Sequence, residues 1–228
     1  MFNSIQLIDG LHMYQDHDTD LPFLGDTRDI TVDVQTGDVI SERQPTYTYE
    51  GSYTTSILIR LSGRRVTISR GNPSKVNRID NLFGHKTIDD SVFVYNQILL
   101  SLGLPPFTKC TKVFRLIGKD GKRVNTVSDG AVITEIHTTT NKYVGKGNVK
   151  DYLRGLSTQR LRNSIPHLMP NGCTVQWLSK LGNAALVHSS VYDKANEIEL
   201  HQLPKIKRAF GETSKEYQQL KKVHEYCL

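Results

Sequence analysis

The chain has 228 residues with a formal net charge of +6, and 37% of its residues are hydrophobic. A chain of this length can bury a core without disulfides, which excludes a small disulfide-stabilised scaffold. No apolar run approaches the roughly 18 residues of a membrane span, and the N-terminus lacks the basic region of a secretory signal. The cysteines at 110, 173 and 227 are odd in number and irregularly spaced. They predict reduced thiols in a cytoplasm.

Charge is unevenly distributed along the chain. Residues 1–50 contain ten acidic and two basic residues, a net charge of −8, whereas residues 51–228 contain 27 basic and 13 acidic residues, a net charge of +14. A basic body of this kind is typical of proteins that bind polyanions. An ordinary solvated surface gives the same counts, so composition alone leaves both interpretations open.

The first half of the chain contains one clear hairpin and one clear helix. Residues 1–50 have sparse apolar residues and several turn signals, which predict an edge region of a sheet. Two strand-like runs at 56–61 and 65–69 predict a β-hairpin. Acidic residues at 89–90 precede apolar residues with helical spacing from Val92 to Leu102. They predict a helix of about four turns.

Two strands and a helix are predicted next. The strands span 111–117 and 131–139, and a turn-rich segment at 118–122 joins them. The helix begins at Asn148, a good N-cap residue, and continues to Leu156.

The last part of the chain predicts a second hairpin and a C-terminal helix. The hairpin strands span 173–178 and 184–191, with its turn at 182–183, and the helix begins with capping-box spacing at Thr213. Hairpins predominate over strict βαβ alternation. The predicted fold class is therefore α+β, with a mainly antiparallel β-sheet flanked by helices.

Two predicted strands carry side chains of chemical interest. Glu135 and His137 lie two residues apart on one strand and therefore share a face. A carboxylate and an imidazole in this arrangement can ligate one divalent metal, although a histidine on a strand is more often simply hydrogen-bonded.

On the second strand, His188, Ser190, Tyr192 and Lys194 alternate onto one face. A tyrosine is a nucleophile only if its phenol, with a pKa of about 10, is deprotonated or given a base. A neighbouring lysine ammonium would favour the transition state. The alternative is an amphipathic edge strand that ends in Tyr-Asp-Lys for packing and solubility.

Basic residues form clusters with aromatic residues among them, a combination that suits phosphate contacts and base stacking on single-stranded nucleic acid. Solvated helix faces would give the same counts. No P-loop, dinucleotide fingerprint, nucleophile elbow or zinc-protease motif is present. The residues expected to bind DNA are Lys75, Arg78, Arg115, Lys119, Lys122, Arg123, Lys150, Arg154, Arg160, Arg162, Trp177 and Lys180.

Five ordered blocks of sequence resemble the gene II/X replication protein family of filamentous phages, the inoviruses. The blocks cover about residues 50–210 and read EGSYTTSILIR at 50–60, GNPSKVNRIDNLFG at 71–84, NVKDYLRGLSTQ at 148–159, GCTVQWLSK at 172–180 and VYDKANEIELHQLP at 191–204. Each block alone is weak evidence for the family. Five blocks in the same order as in the family argue against a chance resemblance.

The resemblance implies a rolling-circle replication initiator with a fold similar to the HUH endonucleases. In that class a tyrosine attacks the DNA backbone, leaves a 5′-phosphotyrosine linkage and a free 3′-OH, and later rejoins the strand. The family's nucleophile precedes a lysine by two residues, which corresponds here to Tyr192 and Lys194. The implied partners are supercoiled double-stranded and single-stranded origin DNA, a host helicase and a polymerase, in the host cytoplasm, with oligomers a further option.

The family's metal site, which takes Mg²⁺ or Mn²⁺, corresponds only in part to this sequence. This chain has Asp80 where the family shows a histidine, and His137 where the family tends to place an aspartate. We therefore expect Asp80 and His137 to face a common ion, with Glu135, on the same strand face as His137, as a further ligand. His85 is close enough in sequence to replace Asp80, and His188 is a further candidate.

The resemblance also suggests how the chain is divided. We expect an acidic N-terminal segment of the sheet over 1–50, a nuclease domain over 51–210 and a C-terminal helix over 211–228. Family members generally continue past Leu228, which suggests a short or truncated member. Two alternatives to a nicking enzyme are a non-catalytic DNA-binding regulator of phage replication and a structural protein that coats viral DNA.

Overall fold

The structure, a computed structural model, describes residues 6–179 and 188–228 of the chain, apart from the side chains of Arg123 and Ser179. The chain divides into two compact units, Met1–Asn141 and Lys142–Leu228. This boundary falls inside the segment 51–210 that the sequence analysis treats as one nuclease domain.

The first unit contains nine strands and one long helix among its described residues. They are β1 (Leu7–Asp16), β2 (Asp29–Val32), β3 (Val39–Arg43), β4 (Tyr47–Glu50), β5 (Ser56–Ser62), β6 (Arg65–Arg70), α1 (Ile88–Ser101), β7 (Val113–Ile117), β8 (Arg123–Ser128) and β9 (Val132–Thr139). Five of the strands form an antiparallel sheet in the order β4–β5–β6–β1–β9.

Apolar residues cover only one face of this sheet. Ile57, Ile59 and Leu61 of β5 are buried, whereas the alternate positions Ser56 and Arg60 are exposed. This alternation is that of an antiparallel strand with one face on the core and one in water. The predicted hairpin of β5 and β6 is confirmed.

The helix α1 packs on the apolar face of the sheet. Thr87 caps its N-terminus, and Asp90 completes a capping box by accepting a hydrogen bond from the Thr87 backbone N–H. Tyr95, Ile98 and Leu99 point from the helix into the main core cluster. The predicted four-turn helix is confirmed, and α1 leaves the opposite face of the sheet available for polar side chains.

The first strand has a different place from the predicted one. β1 lies between β6 and β9 in the sheet, and its residues Leu11 and Met13 are buried in the core. The edge-region prediction is therefore wrong for β1, because the turn signals that suggested it begin only where this strand ends, at Asp16. β4 does lie at an edge.

Two separate two-stranded ribbons complete the first unit, β2–β3 and β7–β8. The segment 118–122 joins β7 to β8, whereas β9 pairs with β1. The sequence analysis missed β8 and joined the two neighbouring strands directly. The reason is that β8, Arg-Val-Asn-Thr-Val-Ser, has few apolar residues and no core to face.

The second unit contains a three-stranded sheet and several helices. Its described elements are α2 (Val149–Leu156), β10 (Ser164–Leu168), β11 (Thr174–Ser179), β12 (Ser189–Tyr192), α3 (Lys194–Glu197), a π-helical turn (Ile198–Gln202), α4 (Leu203–Phe210) and α5 (Lys215–Cys227). The antiparallel sheet has the order β10–β11–β12. Leu153 of α2 packs with Val175 and Trp177 of β11 to form a small core.

Several local predictions for this unit need correction. Asn148 makes no side-chain cap to α2, and its amide donates instead to the carbonyl of Val144. Ser214, one residue after the expected position, caps α5. The hairpin turn predicted at 182–183 lies outside the described residues.

At the level of fold class, the prediction of an α+β protein with mainly antiparallel sheets is confirmed. No helix in the part of the chain that the structure describes is both long and apolar enough to cross a membrane.

Candidate metal centre and tyrosine–lysine pair

Two histidines and a glutamate converge on the open face of the five-stranded sheet. His12 Nδ1 lies 2.9 Å from Glu135 Oε2, and His137 Nε2 lies 2.7 Å from Glu135 Oε1. The two imidazole centroids are 5.2 Å apart. One ligand atom from each residue lies within 4.8 Å of the others, so the three side chains can approach a single ion.

Strand pairing between β1 and β9 builds this cluster. His12 is directly opposite Glu135, and Gly10 is opposite His137. Register shifts on either side of these pairs break the regular ladder, and β-bulges of this kind re-aim side chains. A Cβ added to Gly10 would lie 3.0 Å from Cγ of His137, so glycine at this position leaves room for the imidazole.

Electrostatics favours an ionised glutamate at the centre of the cluster. The hydrogen bond from His137 is the largest cause that lowers the pKa of Glu135, and the charges of His12 and His137 act in the same direction. Each imidazole donates to one carboxylate oxygen, because an ionised carboxylate can only accept. If a divalent ion were bound, its positive charge would stabilise the Glu135 carboxylate in place of the two imidazole N–H groups.

The donor set fits a transition-type divalent ion. Imidazole nitrogens suit first-row transition metals such as iron, nickel, copper and zinc, and the carboxylate suits Mn²⁺, whereas Mg²⁺ prefers oxygen ligands. His12 is half-buried and the other two ligands are exposed. Water or a substrate oxygen could therefore occupy the remaining coordination positions.

Asp80 and His85 lie outside this cluster. Asp80 Oδ1 accepts a hydrogen bond of 3.0 Å from the backbone N–H of Leu82 and lies 3.4 Å from the Arg78 guanidinium. His85 Nδ1 is 3.0 Å from Ser91 Oγ, and its backbone pairs with that of Ile8. The candidate metal cluster thus brings Glu135 and His137 together with His12, whereas Asp80 and His85 have other partners.

Tyr192 lies on the exposed face of the three-stranded sheet in the second unit. It is 39% exposed, and its strand partner is Thr174. Ser190 shares this face and is opposite Gln176, which is in turn opposite His167. His188, just before β12, is also exposed. The phenol therefore lies among polar side chains that face solvent, where a large substrate could reach it.

Lys194 approaches Tyr192 by a route that differs from the predicted one. The strand ends at Tyr192, and Asp193 caps α3 by accepting a hydrogen bond of 3.2 Å from the N–H of Asn196. Lys194 is thus the first residue of α3, not a strand residue. Its Nζ lies 5.7 Å from the centroid of the Tyr192 ring and 2.9 Å from Glu197 Oε2.

The expected DNA-binding residues of the first unit fall into two groups. Arg115, Lys119 and Lys122 are exposed on the ribbon of β7 and β8 and the turn between them, and Arg123 begins β8. Lys75 is half-buried at the end of a short 3₁₀ turn, and Arg78 donates to the carbonyl of Phe83. The ribbon is the more accessible of the two basic surfaces.

The expected DNA-binding residues of the second unit also differ in exposure. The exposed ones are Lys150, Arg154, Arg160 and Arg162. Trp177 is 7% exposed, and its indole N–H donates to the carbonyl of Gln159 over 2.8 Å. Little of this ring is available to a base, so Trp177 belongs to the core and not to a stacking surface. Lys180 lies outside the described residues.

Two residues that build the candidate metal cluster, His12 as a candidate ligand and Gly10 as the space for His137, were not among the predicted site residues. His12 lies between the buried residues Leu11 and Met13, and this alternation would have placed it on the polar face of a strand. No comparable signal marks Gly10, because its role depends on the register between β1 and β9.

The fold and the two sites define an α+β protein with a candidate divalent-metal centre in its first unit and a tyrosine–lysine pair in its second. The sequence is similar to a replication-associated protein of Escherichia phage If1, with 48% identity over 171 residues, or 75% of this chain and 53% of the relative. The chain thus spans about half the length of that relative. No protein-family model matches the chain, and no solved structure matches it.

Proposed function

We propose that this protein starts rolling-circle replication of a phage genome by nicking one DNA strand at the origin and later rejoining it. The observation that carries the proposal is the exposed Tyr192 with the Lys194 ammonium 5.7 Å from its ring centroid. The similarity to a replication-associated phage protein supports the biological setting. The fold proposed for this reaction is of the HUH-endonuclease type.

The tyrosine oxygen is the nucleophile in the proposed reaction. The Tyr192 oxygen loses its proton and forms a bond to phosphorus, while the bond between phosphorus and the 3′-oxygen breaks. The released 3′-oxygen takes up a proton and becomes the 3′-OH that primes synthesis. Attack by that 3′-OH on the phosphotyrosine reverses the step and joins the strand. Lys194 offsets the negative charge that develops near the phenol.

His12, Glu135 and His137 are the residues proposed to hold Mn²⁺ or Mg²⁺. A divalent ion held by these residues would supply Lewis-acid chemistry, the polarisation of a phosphate oxygen. Glu135 would contribute the negative charge, and His12 and His137 would each offer a ring nitrogen in place of the present hydrogen bonds to the carboxylate. Asp80 is a further candidate ligand, and the Mn²⁺ affinity of an Asp80→Asn variant tests it.

The proposed substrate is origin DNA, both supercoiled and single-stranded. Exposed basic residues on the β7–β8 ribbon and around α2 would contact its phosphates. A host helicase and a polymerase would extend the nicked strand in the host cytoplasm.

A nicking assay tests the proposal. Supercoiled DNA that carries the origin of the encoding phage is incubated with the protein and Mn²⁺, and we expect nicked circles with covalently attached protein. Tyr192→Phe should abolish both products while DNA binding remains. Equal nicking by this variant would remove Tyr192 from the mechanism. DNA binding by the wild-type protein without any nicking would indicate a non-catalytic regulator instead.

A further inference from the structure

A buried hydrogen-bonded chain continues beyond Lys194. Glu197 Oε2 lies 2.9 Å from Lys194 Nζ. The Gln202 side-chain nitrogen lies 2.9 Å from Oε1 and 2.8 Å from Oε2 of the same carboxylate. Gln202 is 4% exposed, and Glu197 and Lys194 are half-buried. The carboxylate therefore joins a buried amide to the lysine beside Tyr192.

A π-helical turn makes this chain possible. In a regular α-helix, residues three and four apart face each other, and a residue five positions on has passed to another side. The turn Ile198–Gln202 widens the helix, and the N–H of Leu203 donates to the carbonyl of Ile198, five residues earlier. The extra residue brings Gln202 back over Glu197.

Proline explains why the helix widens here. Pro204 follows the π-helical turn, within the first turn of α4. Proline has no N–H to donate to the carbonyl of Leu200, and its ring clashes with a carbonyl in that position. A wide turn relieves the clash, and single π-turns of this kind are frequent at functional sites.

We propose that Glu197 and Gln202 are positioning residues that hold the Lys194 ammonium beside the Tyr192 ring. The inference rests on the proposed function of Tyr192 as the nucleophile. A free lysine side chain loses considerable rotamer entropy when it is fixed in one place. Gln202 fixes both oxygens of Glu197, and Glu197 then fixes one end of Lys194. The Lys194 side chain is therefore ordered when the protein folds, and its rotamer entropy is not lost again when DNA binds.

The test measures single-turnover formation of the covalent protein–DNA adduct on supercoiled origin DNA with Mn²⁺. Gln202→Leu removes the two hydrogen bonds to Glu197 without a change of charge, and Glu197→Gln removes the ion pair. Each should slow adduct formation roughly tenfold or more, because small displacements of a charge near a reacting group are costly. The affinity for DNA should stay unchanged. Glu199→Gln, an exposed carboxylate on the same helical segment, is the matched control and should react at the wild-type rate.

A double-mutant cycle separates positioning from a general structural effect. In a Lys194→Ala background, Gln202→Leu should cause no further loss, because its effect passes through Lys194. Loss of the same size in both backgrounds would overturn the inference, as would wild-type rates in Gln202→Leu and Glu197→Gln.

Two controls make the outcomes distinguishable. Thermal unfolding of each variant reveals any folding defect. If Gln202→Leu does not fold, the inference is tested by Glu197→Gln alone, because Glu197 is only half-buried. If the wild-type protein forms no adduct at all, the proposed function fails and this inference with it. If the wild type reacts and the variants react equally fast, only the inference fails.

Discussion

Gly10 and His137 are opposite each other across β1 and β9, and the imidazole of His137 occupies the space where a side chain at position 10 would begin. A Cβ at Gly10 would lie 3.0 Å from Cγ, 3.1 Å from Nδ1 and 3.2 Å from Cβ of His137. Such distances are shorter than ordinary van der Waals contact, so the ring would have to move. The position of His137, a candidate metal ligand, thus depends on the lack of a side chain at position 10.

The first prediction follows from this contact. Gly10→Ala should weaken Mn²⁺ binding by about tenfold or more, because the displaced imidazole no longer faces Glu135. Isothermal titration calorimetry with Mn²⁺ measures the effect. Gly155→Ala is the matched control, since a Cβ there meets nothing within 4 Å. Unchanged Mn²⁺ affinity in Gly10→Ala would contradict the proposed role of His137.

The second prediction concerns the identity of the ligands. Glu135→Gln should abolish measurable Mn²⁺ binding, because it removes the only negative charge of the cluster formed with His12 and His137. Asp80→Asn should leave the affinity within about twofold, since the Asp80 carboxylate already accepts from Leu82 and pairs with Arg78. A large loss of Mn²⁺ binding in Asp80→Asn would return Asp80 to the ligand set.

The third prediction links the core to the metal-bearing strand. Tyr95 is fully buried, and its hydroxyl donates to the carbonyl of Leu11 over 2.8 Å. Tyr95→Phe leaves that carbonyl without this donor and should lower the free energy of unfolding by about 1–3 kcal/mol. Urea denaturation measures the change. Mn²⁺ affinity should stay nearly the same, because the substitution is on the opposite face of β1 from His12.

The fourth prediction is a dependence of stability on pH. Burial is the largest cause that lowers the pKa of His85, the Arg78 charge lowers it further, and Asp90 opposes both. The folded state therefore binds a proton at His85 less readily than the unfolded state does. This contribution to stability is complete above the unfolded pKa of about 6.5 and is lost as the pH falls through the lower folded-state value.

Urea denaturation at pH 7.5 and pH 5.5 checks this sign. The free energy of unfolding should be smaller at pH 5.5, and His85→Gln should reduce the difference between the two values. If His85→Gln shows the same difference in unfolding free energy between pH 7.5 and pH 5.5 as the wild type, the pH dependence arises from other groups.

The fifth prediction tests the basic ribbon. The affinity for single-stranded DNA should fall as the salt concentration rises. Each phosphate contact contributes about −0.7 to the slope of log K against log salt, so removing one contact should make the slope less negative by about 0.7. Arg115→Ala and Lys119→Ala should each flatten that slope. Arg43→Ala, on the acidic ribbon of β2 and β3, serves as the control. An unchanged slope in the first two variants would place the DNA elsewhere on the protein.

Local pattern accounts for the elements that were predicted correctly. The strands β5 and β6 and the helix α1 each carry an apolar period that points to one face, and their ends carry turn or capping residues. The strand β8 and the long helical segment after Tyr192 were missed. β8 faces no core, and the π-helical turn interrupts the helical period at the residues that would have revealed it.

The sites were predictable to different extents. Glu135 and His137 were found because alternation along one strand is a local property. Strand alternation predicted that Tyr192 and Lys194 share a face. In the structure the lysine instead lies at the N-terminus of α3, and its ammonium approaches the tyrosine ring from there. Glu197 and Gln202 carried no signal, because they are five positions apart and no regular α-helix makes such residues neighbours.

The sequence by itself determined the basic body, the α+β class and the resemblance to phage replication initiators, because these depend on composition, on short-range periodicity and on ordered blocks of residues. Only the tertiary structure decided which residue joins Glu135 and His137 in the candidate metal cluster. His12 and Glu135 are 123 residues apart in the chain, and they meet because β1 is inserted between β6 and β9 in one particular register. That register depends on which face of each strand is buried, so a long-range property selects the residues of the site.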